Sequence, residues 1–100
     1  MPTKSHQDDL EKRLKSVSYA SKYLRVAFGD GDEAGFLLAL KNVIDANGGI
    51  SYVSKKSDIT RQHLHRVLKE GGNPTLGTLR AILSAVGLKL DFSPEKQKAA

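Results

Sequence analysis

The chain has 100 residues, 39% of them hydrophobic, no cysteine and a formal charge of +5. That length suffices for one core and not two, and the lack of cysteine excludes disulfides, thiolate chemistry and cysteine-bound zinc. No apolar run approaches the roughly 20 residues that span a bilayer, and the opening MPTKSHQDD lacks the apolar core of a signal peptide, so no membrane contact and a cytoplasmic location are expected.

Leu10, Leu14 and Val17 recur at helical spacing, as do Tyr19, Tyr23 and Ala27 with Ala20, Leu24 and Phe28 beside them. The spacing predicts two short helices, about 8–15 and 18–28, with Ser16 or Ser18 capping the second. Gly29-Asp30-Gly31-Asp32 then breaks the chain. A third helix is predicted over Glu33–Ala46, stopping at Gly48-Gly49, where glycine readily turns left-handed. Phe36, Leu37, Leu40, Val43 and Ile44 share one arc of it, and Leu38 lies on the opposite side. A second buried face would account for Leu38, so the N-terminal helices are expected to pack over it.

A short helix at about 50–57, a turn at Ser57-Asp58-Ile59 and a helix from Thr60 to Glu70 follow, with Thr60 as N-cap. Gly71-Gly72 ends that helix. Asn73-Pro74 is expected to open the last one, asparagine as cap and proline at the first position, where its missing N–H costs nothing. That helix runs through Leu76, Leu79, Ile82, Leu83 and Val86 to Gly87. Leu88-Lys89-Leu90-Asp91-Phe92 alternates as a short strand would.

The charge is localised. Residues 50–90 hold seven bases and two acids, whereas residues 1–49 and 91–100 are each balanced. A solvated basic face is the ordinary explanation, but concentration in one segment favours a surface that meets a polyanion.

Two short helices around a tight turn, the second one basic, suggest a helix-turn-helix. Val53, Ile59, Leu64 and Val67 supply apolar anchors, and Ser54 is the small residue at the crossing. Asp58 stands where glycine is preferred, yet Asp tolerates positive φ. Polar Ser57 occupies a site that is usually apolar. On the second helix Leu64, Val67 and Leu68 define the buried side. Opposite lie Gln62, Arg66 and Lys69, flanked by His65, with Arg61 near the exposed start. Arginine can pair with guanine, and glutamine with adenine, through two hydrogen bonds each. Lysines and hydroxyls near helix ends suit phosphates, so Thr60, His63, Lys69, Lys55, Asn73 and Thr75 are the candidate phosphate contacts.

Other chemistry fits less well. His63 and His65 point about 160° apart on a helix and cannot share one metal ion. Asp30-Gly31-Asp32-Glu33-Ala34-Gly35 begins like a calcium loop, but Ala34 stands at its fifth position and Lys41 at its twelfth, where a bidentate glutamate is needed. No phosphate loop and no nucleophile with a matching base is present, and the serines at 51, 54 and 57 repeat too regularly for a catalytic elbow. No enzyme, metal or cofactor is expected.

Ser18-Tyr19-Ala20-Ser21-Lys22-Tyr23-Leu24, the Gly-Asp turn at 31–32, Leu37-Leu38-Ala39-Leu40, and Gly71-Gly72-Asn73-Pro74-Thr75-Leu76 through Val86-Gly87-Leu88 closely resemble one family. It is the addiction-module antidote family, small Xre-type helix-turn-helix regulators related to lambdoid phage repressors, and the resemblance covers about residues 8–92. It implies a DNA-binding antitoxin and autorepressor, encoded beside a small RelE-like toxin that it neutralises. In repressors of this type the start and the fourth to sixth residues of the recognition helix touch bases. That carries over to Arg61, Gln62 and Arg66, as the helical wheel also suggests, with His65 as a flanking contact.

The combined expectation is an all-α, lambda-repressor-like helix-turn-helix domain over residues 34–92, with a helical extension (1–33) packed on its core, a short C-terminal strand and a flexible tail (93–100). A homodimer on a palindromic operator of double-stranded DNA is expected, because two half-sites a helical turn apart multiply discrimination. Leu88, Leu90 and Phe92 would join the protomers by strand pairing across the two-fold axis. Two alternatives stand beside this one. Toxin neutralisation is the main work, with residues 1–33 binding the toxin or merely capping Leu38; or the chain is a prophage-type regulator with no toxin.

Overall fold

A computed structural model describes residues 6–95. Residues 1–5 of the expected extension and 96–100 of the expected tail lie outside the described residues. Six helices follow in order: α1 (His6–Leu14), α2 (Val17–Gly29), α3 (Glu33–Ala46), α4 (Gly49–Ser57), α5 (Arg61–Leu68) and α6 (Leu76–Ala85). The described residues contain no strand.

Local chemistry sets most boundaries. α1 carries Asp8 and Asp9 in its first turn and Lys12 and Arg13 in its last, each favoured there by the helix dipole. Ser16, not Ser18, caps α2: its hydroxyl accepts from the Tyr19 N–H at 3.2 Å. Between α3 and α4, Gly48 has φ +106, and a Cβ there would lie 2.6 Å from Cβ of Tyr52. Both the conformation and the space require glycine.

All six helices close over one core. Leu14 of α1 and Ala20 and Leu24 of α2 join Leu40, Val43 and Ile44 of α3, Val53 of α4, Leu64 of α5 and Ile82 of α6. Each fully buried leucine or isoleucine stabilises the fold by about 1.5–3 kcal/mol relative to exposure. Asn47 joins the N-terminal helices to this core. Its Nδ2 donates to the Leu14 carbonyl at 3.0 Å and to the Val43 carbonyl at 2.8 Å, so the C-terminal ends of α1 and α3 are held together. Asn42 likewise donates to the Tyr23 hydroxyl at 3.0 Å, fixing α2 on α3.

Four expectations need correction. Leu38 is not covered: it is 61% exposed. α2 sends Ala20 and Leu24 inward and passes beside Leu38 rather than across it, leaving a groove. The strand expected at Leu88–Phe92 is irregular chain. A strand needs a partner ladder, and the Leu88 N–H instead closes α6 by donating to the Leu83 carbonyl at 2.8 Å. Thr75, rather than Asn73, caps α6, its hydroxyl accepting from the Thr78 N–H at 3.1 Å. Gly72 lies so close to the Val67 carbonyl that a Cβ would come within 2.2 Å of its oxygen. Residue 72 therefore has room only for glycine, and residues 72–75 are irregular chain before α6. Finally, α5 stops at Leu68, and Lys69 is already extended with ψ 165°.

Candidate nucleic-acid interface

The site is built on α4, the turn after it and α5. Asp58 ends α4 with φ +62°, and among the described residues it is the only non-glycine residue with positive φ. Three side chains hold the turn in this shape. The Ser54 hydroxyl donates to the Ile59 carbonyl. The Ser57 hydroxyl donates to the Val53 carbonyl at 2.6 Å and accepts from the Ile59 N–H at 3.3 Å. The Thr60 hydroxyl then accepts from the His63 N–H at 3.0 Å and starts α5. Ser57, polar at a position where an apolar residue is usual, is thus a hydrogen-bonding brace within the turn.

α5 is strongly two-sided. Leu64 is fully buried, and Val67 and Leu68 are buried beside it. Gln62, His65 and Arg66 are exposed on the other side, while His63 is half-buried. Arg61 is exposed and its guanidinium donates to the Ser51 hydroxyl at 3.3 Å, so its stem lies back toward α4. Lys55, Lys56 and Lys69 are exposed at the ends of the two helices. Five exposed bases therefore fall between residues 55 and 69, against Asp58 as the one acid in that span. The arrangement offers an acidic partner a set of cationic and amide donors on a helix whose opposite side is locked into the core.

The structure gathers Thr60, Arg61, Gln62, His65, Arg66 and Lys69 on or beside one short helix, with Lys55 on the helix it packs against. Asn73 is exposed in the loop beyond α5, and Thr75 is exposed while engaged as the cap of α6. Leu88, Leu90 and Phe92 belong to another region, beyond the end of α6. Leu88 packs half-buried on the core, whereas Phe92 is 94% exposed. Ser51 escaped the sequence reading. Its only signal is its place in the Ser51, Ser54, Ser57 series, one hydroxyl per turn on the side of α4 that meets the turn and α5. Among the described residues no three His, Asp or Glu side chains converge to hold a metal ion. No helix of these residues is long and apolar enough to cross a membrane.

These features define a class: the described residues form an all-helical protein with one core and an exposed, basic helix braced against its neighbour. A family model described as "probable addiction module antidote protein" matches residues 4–94, and the chain belongs to that family. Searches of curated proteins and of solved structures returned no match.

Proposed function

We propose that this antidote-family protein is an antitoxin that represses its own operon by binding DNA. In this reading α4, the Asp58 turn and α5 form an Xre-type, lambda-repressor-like helix-turn-helix within residues 34–92, and residues 1–33 are an added helical extension. α5 enters the major groove. Gln62 and Arg66 read base edges from its exposed face, with Arg61 at its start and His65 alongside. Thr60, His63, Lys55, Lys69, Asn73 and Thr75 are the phosphate-side contacts. Two copies bind a palindromic operator, joined through Leu88, Leu90 and Phe92. The toxin partner follows from the family's description as an antidote within an addiction module.

The observation that carries this reading is the braced turn. A left-handed Asp58, hydrogen-bonded Ser54 and Ser57 and a fully buried Leu64 fix the angle between α4 and α5. Such a pair presents the Gln62–Arg66 face in one orientation. Mere solubility does not require that rigidity; recognition of a patterned surface does. The test is a mobility shift with DNA from upstream of the chain's own gene. A complex that survives unrelated competitor DNA and weakens steeply with salt is expected. Equal binding to unrelated DNA, or none, would remove the repressor reading.

The reading in which toxin neutralisation is the main activity is favoured by one observation, the uncovered Leu38, developed below.

A further inference from the structure

The DNA-binding reading leaves one face of the molecule without a use. Between α2 and α3 runs a groove of about 480 Å³, with Tyr23, Val26 and Ala27 on one wall and Gly35, Leu38 and Ala39 on the other. Val26 is 66% exposed and Leu38 61%. Scattered exposed apolar residues are ordinary, but apolar side chains lining a common groove mark a surface that another molecule covers. The Asp32 carboxylate lies over Gly35, where a Cβ would meet its oxygen at 2.9 Å, so an acidic group stands at the groove itself.

Charge narrows the occupant. Asp30 lines the groove, Asp32 stands exposed in the adjoining turn and Glu33 is exposed at the start of α3, against Lys22 as the one base of the lining. These carboxylates disfavour a polyanion here and favour a partner with basic residues. The groove is also separate from the basic helix: although α3 packs on α4 and α5, every residue that lines the groove belongs to α2, α3 or the turn between them. A molecule seated in it leaves the exposed face of α5 free.

We infer that this groove is the toxin-docking surface of the antidote. It would take an apolar helix or strand of the toxin that carries basic side chains at the end meeting Asp30, Asp32 and Glu33. The inference rests on the antitoxin reading above and adds to it the surface and the chemistry of the partner.

The test uses the full chain and the purified protein encoded by the adjacent reading frame, with affinity measured by calorimetry. The double variant Val26→Glu/Leu38→Glu is expected to bind that protein roughly 100-fold more weakly, the loss typical of interface hot spots. Both positions are mostly in water, so the variant's thermal midpoint and operator binding report whether the fold is intact. Leu76→Glu changes a leucine that is 67% exposed on α6, outside the groove, and should leave the affinity unchanged. Asp30→Asn/Asp32→Asn should weaken binding and flatten its salt dependence. If the double variant binds as tightly as the wild type, the surface is wrong while the antitoxin reading stands. If the wild-type chain does not bind the adjacent gene's product at all, the antitoxin reading falls and the docking assignment falls with it. A homodimer that the double variant breaks, with affinity for that product unchanged, would give the groove to a second copy and overturn the inference.

Discussion

Ser54 and Ile59 are tied across the turn between α4 and α5: the serine hydroxyl donates to the Ile59 carbonyl, while the Ile59 N–H donates to Ser57. Both backbone groups of Ile59 are therefore satisfied by side chains of the preceding helix. The hydrogen bonds compensate for backbone partners that neither helix can supply at a break. Ser54→Ala removes one of them and should destabilise the protein by about 1 kcal/mol, read as a lower urea midpoint with an unchanged slope. Ser54→Leu adds volume at the crossing and should cost about 1–3 kcal/mol through overpacking.

Asp58 adopts a left-handed conformation that costs a residue with a Cβ roughly 1–2 kcal/mol. Glycine relieves that strain but loses more chain entropy on folding. Asp58→Gly should therefore change stability by no more than about 1 kcal/mol, in the stabilising direction. Asp58→Val, branched at Cβ, should destabilise by about 1–2 kcal/mol. Thermal melts of the two variants check both signs.

The buried and exposed sides of α5 should separate cleanly by mutation. Leu64→Ala opens a cavity in the core and should cost about 2–5 kcal/mol of stability. Arg66→Ala should leave the melt unchanged, weaken operator binding by about 1–3 kcal/mol and relax preference at one base position. Lys69→Ala should weaken binding to all sequences alike and lower the salt slope by about 1. Titrations at several salt concentrations, with operator and scrambled DNA, distinguish the three.

The segment after α6 supplies a test of the proposed dimer. Leu88 packs on the core and its N–H closes α6, whereas Phe92 is almost wholly in water. Ending the chain after Lys89 keeps the first and removes the second. The truncated protein should melt near the wild-type temperature yet run as a monomer in light scattering. A truncated chain that remains dimeric would exclude Leu90 and Phe92 as the contact.

The helices themselves were legible in the residues, because the signals that make them act over three or four positions. The apolar arc of α3, the glycines at 48 and 49, the Thr60 cap and the positive φ of Asp58 all follow from local chemistry. The basic segment between Lys55 and Lys69 was visible for the same reason: one helical turn decides which side chains share a face. Where two local solutions were close in energy, the residues alone left the choice open. Asn73 and Thr75 both offer a capping oxygen, and Thr75 takes the role.

Tertiary structure decided what depends on residues far apart or on a partner. Leu38 lies off the buried arc of α3, and its apolar side chain suggested a second covered face, but α2 passes beside it and leaves it in a groove. Alternation at Leu88–Phe92 resembles a strand, yet backbone donors pair only with what lies beside them, and the nearest carbonyl is that of Leu83. The Asn47 bond to Leu14, across 33 positions, and the Arg61 contact with Ser51 on another helix have no local signature. Periodicity and capping settled the six helices and the composition of their faces; which of those faces are buried, braced or left open was settled only by how the helices cross.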